Sequence, residues 1–199
     1  MSIECNRDHI ERHINLLTQS WHSDNLSANM EIRCLGENLP ARSITFDPTD
    51  DWLRDDAISS AISLNLAGWN IYVCVNPISS LKAGSADAKS IIAAYYIYAD
   101  ADNFEAASRL RSASPRPDFF VRTGSKPHER LHAYWAVKDI PSLDEWGRMQ
   151  GALIAKFRTD PAIKDASRIM RLAGTISYPS KTKAQKGYET ELTILEELR

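Results

Sequence analysis

The sequence predicts a mixed α/β or α+β domain built on a mixed sheet. Three observations carry this: β-rich runs alternate with amphipathic segments, several strand-like runs are adjacent with no helix between them, and no internal repeat appears. The 199 residues, 43% of them hydrophobic, suffice for one large or two small domains with a real core.

The elements follow in order. Ile10, Ile14, Leu17 and Trp21 recur at helical spacing over residues 9–21. Short strands are expected at 30–35 and 41–46. The Asp-rich start at Asp50 and the apolar positions Trp52, Ile58, Ile62 and Leu66 then predict a second helix, stopped by Gly68. The β-rich run 69–76 ends at Pro77 and reads as a buried strand. A small, polar loop over 79–90 leads to the most apolar strand candidate, 91–99. A helix is expected at 103–112, with strands at 119–122 and 131–137. Ser142 with Glu145 three residues on makes a capping box for a helix over 142–157, with Leu143, Trp146, Leu153 and Phe157 on one face. Residues 159–187 read as irregular and basic, and 188–195 as a last strand.

Composition excludes several classes. Mean hydropathy is −0.36, and no apolar run approaches the ~20 residues of a membrane-spanning helix. The charged N-terminal stretch lacks the apolar core of a secretory signal. Eight Gly and nine Pro are scattered, which excludes collagen-like and low-complexity readings. Cys5, Cys34 and Cys74 are odd in number and have no CxxC spacing, so a cytoplasmic protein without a disulfide framework or zinc ribbon is expected.

The net charge of −2 hides an asymmetry. Residues 122–186 hold 13 Lys and Arg against 6 Asp and Glu, while the rest of the chain holds 11 against 20. Such a block fits a polyanionic partner; it equally fits a solvated face with compensating acids nearby.

Asp100 and Asp102 end the most apolar strand candidate. Residues two apart on a strand share a face, and paired carboxylates at a core edge call for a cation, with Mg²⁺ or Mn²⁺ the natural occupant. Asp102 has a competing reading as N-cap of the 103–112 helix, with Glu105 as its capping-box partner. Asp165 lies in KDASRIMRLAGTISYP among Arg168 and Arg171. It either completes a carboxylate cluster whose arginines face phosphates or makes a surface ion pair or helix cap. His132, on a strand after the loop bearing Lys126 and Arg130, reads as a triphosphate contact or as a hydrogen-bonded core histidine. His9 and His13 stand four apart on a helix. With no HExxH order and no third ligand, they are expected on a solvated face.

Together these pieces resemble the archaeo-eukaryotic primase superfamily, most closely the RepB-type primase domains of plasmids, phages and other mobile elements. That superfamily carries a DxD at a strand end, a His-bearing second motif and a third acid, here Asp100 and Asp102, His132 and Asp165. The flanking words NIYVCVNP, RTGSKPHERLHAYW and DASRIMRLAGTISYP are also similar, and the likeness covers roughly residues 65–195. Two departures stand out. Arg130 occupies the place of the Ser in the Ser-x-His of many relatives. The Asn-x-Lys after Gly-Thr is replaced by Ile176, Ser177 and Tyr178, with lysines only at Lys181 and Lys183.

The resemblance implies a single primase-polymerase domain over 1–199, with an N-terminal α/β part to about 68 and a catalytic part with an RRM-like sheet from about 69. It implies nucleotidyl transfer from NTP or dNTP to a 3′-OH on a single-stranded DNA template, with two Mg²⁺ or Mn²⁺ ions. Asp100, Asp102 and Asp165 would hold the metals. His132, Arg130, Arg168, Lys126 and Arg171 would meet the nucleotide, and Lys181 and Lys183 the DNA. Relatives are often followed by a helicase or helical domain, so the chain is expected to be a piece of a larger replication protein or to partner such a module. The alternative is a non-catalytic DNA-binding initiator module on the same fold. A relaxase would need a second His flanking one apolar residue, which Ala133 and Tyr134 do not provide, and a phosphohydrolase using the same acids is the remaining option.

Overall fold

A computed structural model describes residues 3–24, 26–79, 84–137 and 142–198. Residues 80–83 of the expected 79–90 loop, and 138–141 of the basic block, lie outside the described residues. The chain runs α1 (Arg7–Ser23), β1 (Met30–Leu35), β2 (Arg42–Phe46), α2 (Asp51–Leu66), β3 (Asn70–Cys74), β4 (Tyr96–Ala101), α3 (Phe104–Arg111), β5 (Phe119–Gly124), β6 (Arg130–Ala136), α4 (Leu143–Phe157), β7 (Ile169–Arg171), β8 (Ile176–Ser177), α5 (Lys181–Ala184), β9 (Glu191–Leu192) and β10 (Ile194–Glu197).

Two four-stranded sheets, ordered β2-β1-β3-β7 and β10-β5-β6-β4, and a small β8-β9 pair make an α+β fold. The expected mixed sheet is not what forms: every strand pairing among the described residues is antiparallel. The strand–helix–strand alternation is nonetheless real. α2 joins β2 to β3 and α3 joins β4 to β5, strands that point the same way but leave a gap, and an opposed strand (β1 or β6) fills each gap. Residue 68 does not separate the sheets, since β3 and β7 complete the sheet begun by β1 and β2.

One core lies between the sheets. It joins Ile10, Ile14 and Leu17 of α1, Ile32, Ile71 and Met170 of the first sheet, and Tyr96, Tyr98, Phe119 and Tyr134 of the second. The opposite face of the second sheet packs Ala99, Ala133, Phe120 and Trp135 against Leu110, Leu153 and Phe157 of α3 and α4.

Several expectations are corrected. The 91–99 run divides: Ile91 bridges back to Ile78, and the strand starts only at Tyr96. An unbroken apolar run cannot distinguish a buried crossover from a strand. In α2 the buried positions are Ala57, Ile58, Ala61 and Asn65, whereas Trp52 is 73% and Leu66 60% exposed. Asn65 earns its burial by donating to the Trp69 and Ile176 carbonyls and accepting from Ile176 N–H. Leu143 likewise faces outward on α4, where Gln150 is buried instead. His13 is fully buried, not solvated. Its ring meets Phe119 and Tyr134 edge-on, and its Nδ1 accepts from Ala173 N–H. His9 Nδ1 accepts from Leu195 N–H at 3.0 Å. Among the described residues, no helix is long and apolar enough to cross a membrane.

Candidate active site

Alternation along β4 sends Tyr96, Tyr98 and Asp100 to the face between the sheets, and Ala99 and Ala101 to the α3/α4 face. β4 is an edge strand, so its outward backbone groups need partners. α4 supplies them: Trp146 Nε1 donates to the Tyr96 carbonyl, while Gln150 accepts from Tyr98 N–H and donates to the Tyr98 carbonyl. The same Gln150 amide donates to the Ile163 carbonyl, Asp160 N–H donates to the Asp100 carbonyl, and Tyr98 OH donates to the Asp165 carbonyl. This buried polar seam brings the 160–165 segment, and with it Asp165, to the end of β4.

The competition over Asp102 is resolved by its neighbour. Asn103 is the N-cap of α3, its side chain accepting from Ala106 N–H at 2.9 Å. Asp102 is left half-exposed, with Lys183 Nζ 3.8 Å from its carboxylate.

Asp100 pairs in register with His132 of β6, its Oδ1 lying 3.6 Å from His132 Nε2. Burial first, then the charges of Asp102 and Asp160, push the Asp100 carboxyl up to about 8, against the opposing pull of Lys183 and Arg171. Burial, with Arg171 and His13 adding to it, takes His132 down to about 3, so its imidazole is neutral at neutral pH. Any contact it makes to a phosphate is therefore an N–H donation rather than an ion pair. Asp100 Oδ1, His132 Nδ1, Tyr134 OH and His13 Nε2 are all buried without a hydrogen-bond partner among the described residues.

A cleft of about 420 Å³ opens beside Asp100 and His132 and is lined by Asp165, Arg168, Arg171 and, from the first sheet, Arg33 and Tyr72. A smaller recess of about 130 Å³ shares Asp100, His132, Tyr72 and Arg171 and adds Asp102, Arg130, Lys183 and Tyr188. Asp100 is thus the acid common to the Asp165 side and the Asp102 side. Among the described residues, no three His, Cys, Asp or Glu side chains stand close enough to enclose an ion on their own.

The cations have distinct environments. Arg171 donates to Asn70 Oδ1 and Tyr72 OH, both uncharged, and its charge acts on the Asp100 carboxyl and the His132 ring. Arg130 is 4% exposed. It lies over the Tyr188 ring, 3.3 Å from Glu191, and donates to the Lys126 carbonyl. A Cβ at Gly124 would meet this guanidinium, so a larger residue there would displace the Arg130 side chain. The Lys126 and Lys181 side chains are exposed and line neither space. Lys183, read from sequence as a DNA contact, sits at the site beside Asp102.

Arg33, Tyr72, Tyr188 and Asp160 are at the site but carried no sequence signal. Arg33 of β1 pairs in register with Tyr72 of β3, which pairs with Arg171 of β7.

A metal fits this donor set. Mg²⁺ is typically held by one or two carboxylates plus substrate phosphates rather than by an all-protein cage, and the unpartnered buried Asp100 Oδ1 is the acceptor such an ion would satisfy.

No family model matches the sequence, and no curated protein matches it. Solved structures do. The primase-polymerase AEP domain of cyanophage S-2L superposes with a TM-score of 0.67 at 22% identity, over 97% of this chain and 90% of that one. The primase RepB′ matches at 0.63 and 15%, over 94% of this chain and 56% of that one. The catalytic domain of RepB′ in complex with initiator DNA matches at 0.56 and 13%, over 92% and 84%. Over nearly its full length, the chain has the fold of an archaeo-eukaryotic primase–polymerase domain.

Proposed function

We propose that this chain is a DNA primase-polymerase domain that transfers a nucleotidyl group from NTP or dNTP to a 3′-OH on a single-stranded DNA template, within the replication of a plasmid, phage or other mobile element. The observation that supports this best is Asp100: a largely buried carboxyl whose buried Oδ1 has no hydrogen-bond partner among the described residues, in a cleft it shares with Arg168 and Arg171. Such a group is costly unless a cation joins it, and a cation there would face phosphate-binding residues.

Asp100 would hold the divalent ions, with Asp102 on one side and Asp165 on the other. The chemistry such ions would supply there is activation of the attacking hydroxyl and neutralisation of charge on the α-phosphate and departing pyrophosphate. Arg168 and Arg171, which line the cleft, meet the triphosphate, and the neutral His132 donates one N–H to it. Arg130 and Lys183 face the nucleotide from the Asp102 side, and exposed Lys126 and Lys181 extend the positive field outward. A reaction resting on positioning and charge stabilisation needs little beyond this set.

The test is extension of a labelled primer on single-stranded template, with Mg²⁺ or Mn²⁺ and each nucleotide pool in turn. Incorporation by the wild type and its loss in Asp100→Ala and Asp165→Ala, with unchanged circular dichroism, supports the proposal. Tight binding of initiator DNA without incorporation under any condition would replace it with the non-catalytic initiator reading.

A further inference from the structure

We infer that Arg33, in cross-strand register with Tyr72, itself paired with Arg171 in the same sheet, binds the triphosphate of the incoming nucleotide, and that buried Glu31 sets its position. The inference rests on reading the cleft as a nucleotide site.

Glu31 is a fully buried carboxylate on β1. It accepts Arg33 Nε at 2.8 Å and Arg33 Nη2 at 2.7 Å, the Ser43 hydroxyl at 2.6 Å and Ala86 N–H at 2.8 Å. These bonds hold its pKa below the usual carboxylate range despite burial. Arg33 Nη2 also donates to the Ala86 carbonyl. A guanidinium has five N–H donors. Three are thereby spent, and both Nη1 hydrogens have no partner among the described residues.

A buried carboxylate with four donors is an expensive way to support a merely solvated arginine. Its effect is to fix one planar fork at the cleft, whose other arginines come from the 165–171 segment. Because Glu31 offsets the charge of Arg33, its contribution is directional donation at a set place rather than general attraction of polyanions. This separates it from Arg171, whose hydrogen-bond partners Asn70 and Tyr72 are uncharged. Arg33, Tyr72 and Arg171 thus form one cross-strand row of side chains along the cleft.

The experiment measures equilibrium binding of inorganic tripolyphosphate with equimolar Mg²⁺, binding of single-stranded DNA, and nucleotide KM in primer extension. The proteins are wild type, Arg33→Ala, Arg33→Lys, Glu31→Gln and the Glu31→Gln/Arg33→Ala double variant, each checked for melting temperature. Arg33→Ala should weaken tripolyphosphate binding about tenfold and leave DNA binding unchanged. Arg33→Lys should do nearly as badly, because an ammonium cannot hold Glu31 and present a second donor pair. Glu31→Gln should weaken tripolyphosphate binding in the wild-type background and add nothing once Arg33 is Ala, a non-additivity that a purely structural role would not produce. If Arg33→Ala leaves tripolyphosphate binding unchanged, or weakens DNA binding instead, the inference is overturned, even where primer extension shows the polymerase reading to be right. Arg33-dependent tripolyphosphate binding in a chain that extends no primer would uphold the inference and defeat the polymerase reading.

Discussion

Replacing Asp100 with Asn should stabilise the metal-free protein at alkaline pH while abolishing its response to divalent metal. The Asp100 carboxyl titrates near 8 in the fold, against an ordinary value of 3.8. Between those values the native state keeps a proton that the unfolded chain has lost. Stability therefore falls as pH rises from about 4 and levels off above about 8. Each pH unit inside that window costs about 1.4 kcal/mol, so the interval from pH 5 to 8 has a ceiling of about 4 kcal/mol. Water entering the open side of the cleft reduces this, and about 2 kcal/mol is the working expectation. For a chain of this size that corresponds to roughly 4–8 °C in melting temperature. Asn has the same shape and carries no charge. The assay is thermal unfolding of wild type and Asp100→Asn in EDTA at pH 5 and pH 8, repeated with Mn²⁺. The wild type should lose more stability than the variant between the two pH values, and Mn²⁺ at a hundred times its Kd should return about 2.7 kcal/mol to the wild type only. Parallel pH dependences, or a variant less stable than wild type at pH 8 in EDTA, would refute the argument that Asp100 is a strained, cation-seeking acid.

Three further outcomes are expected. His132→Ala should raise the nucleotide KM by about tenfold or more, as loss of one bond to a charged group does, with single-stranded DNA affinity near wild type; a loss of DNA affinity with unchanged KM would place His132 on the template track. Lys181→Glu should flatten the salt dependence of DNA binding by about one phosphate contact and spare catalysis, whereas Lys183→Glu, beside Asp102, should flatten it and also lower kcat, and salt-insensitive binding of the wild type would show the basic block to be a solvated face. Gln150→Ala should cost about 2–4 kcal/mol, because it strands the Tyr98 and Ile163 backbone groups in the core, and should lower kcat by displacing Asp165; urea titration and single-turnover kinetics measure the two effects separately.

The sequence by itself determined most of the elements and two helix starts. Asp50 and Ser142 cap as their spacing predicts, and Gly68, at φ 92°, ends α2. These are local events, decided by bonds within a few residues. It also indicated Asp100, His132, Arg168 and Arg171, because a strand end or a basic cluster is visible along the chain. Choices between near-equal local options were not legible. Asp102 and Asn103 are both good caps, and the taking of the cap by Asn103 is what leaves Asp102 to the site. Periodicity marked His13 as part of a helix but could not say that its face meets Phe119 and Tyr134. Which strands pair was hidden as well, since β7 reaches β3 across nearly a hundred residues and closure of such long loops leaves no local trace. That one pairing sets Arg171 against Asn70 and Tyr72, while the Gln150 seam carries Asp165 to the β4 edge. The acids and arginines can be read from the chain, but their meeting around Asp100 is decided by side-chain bonds between residues far apart in it.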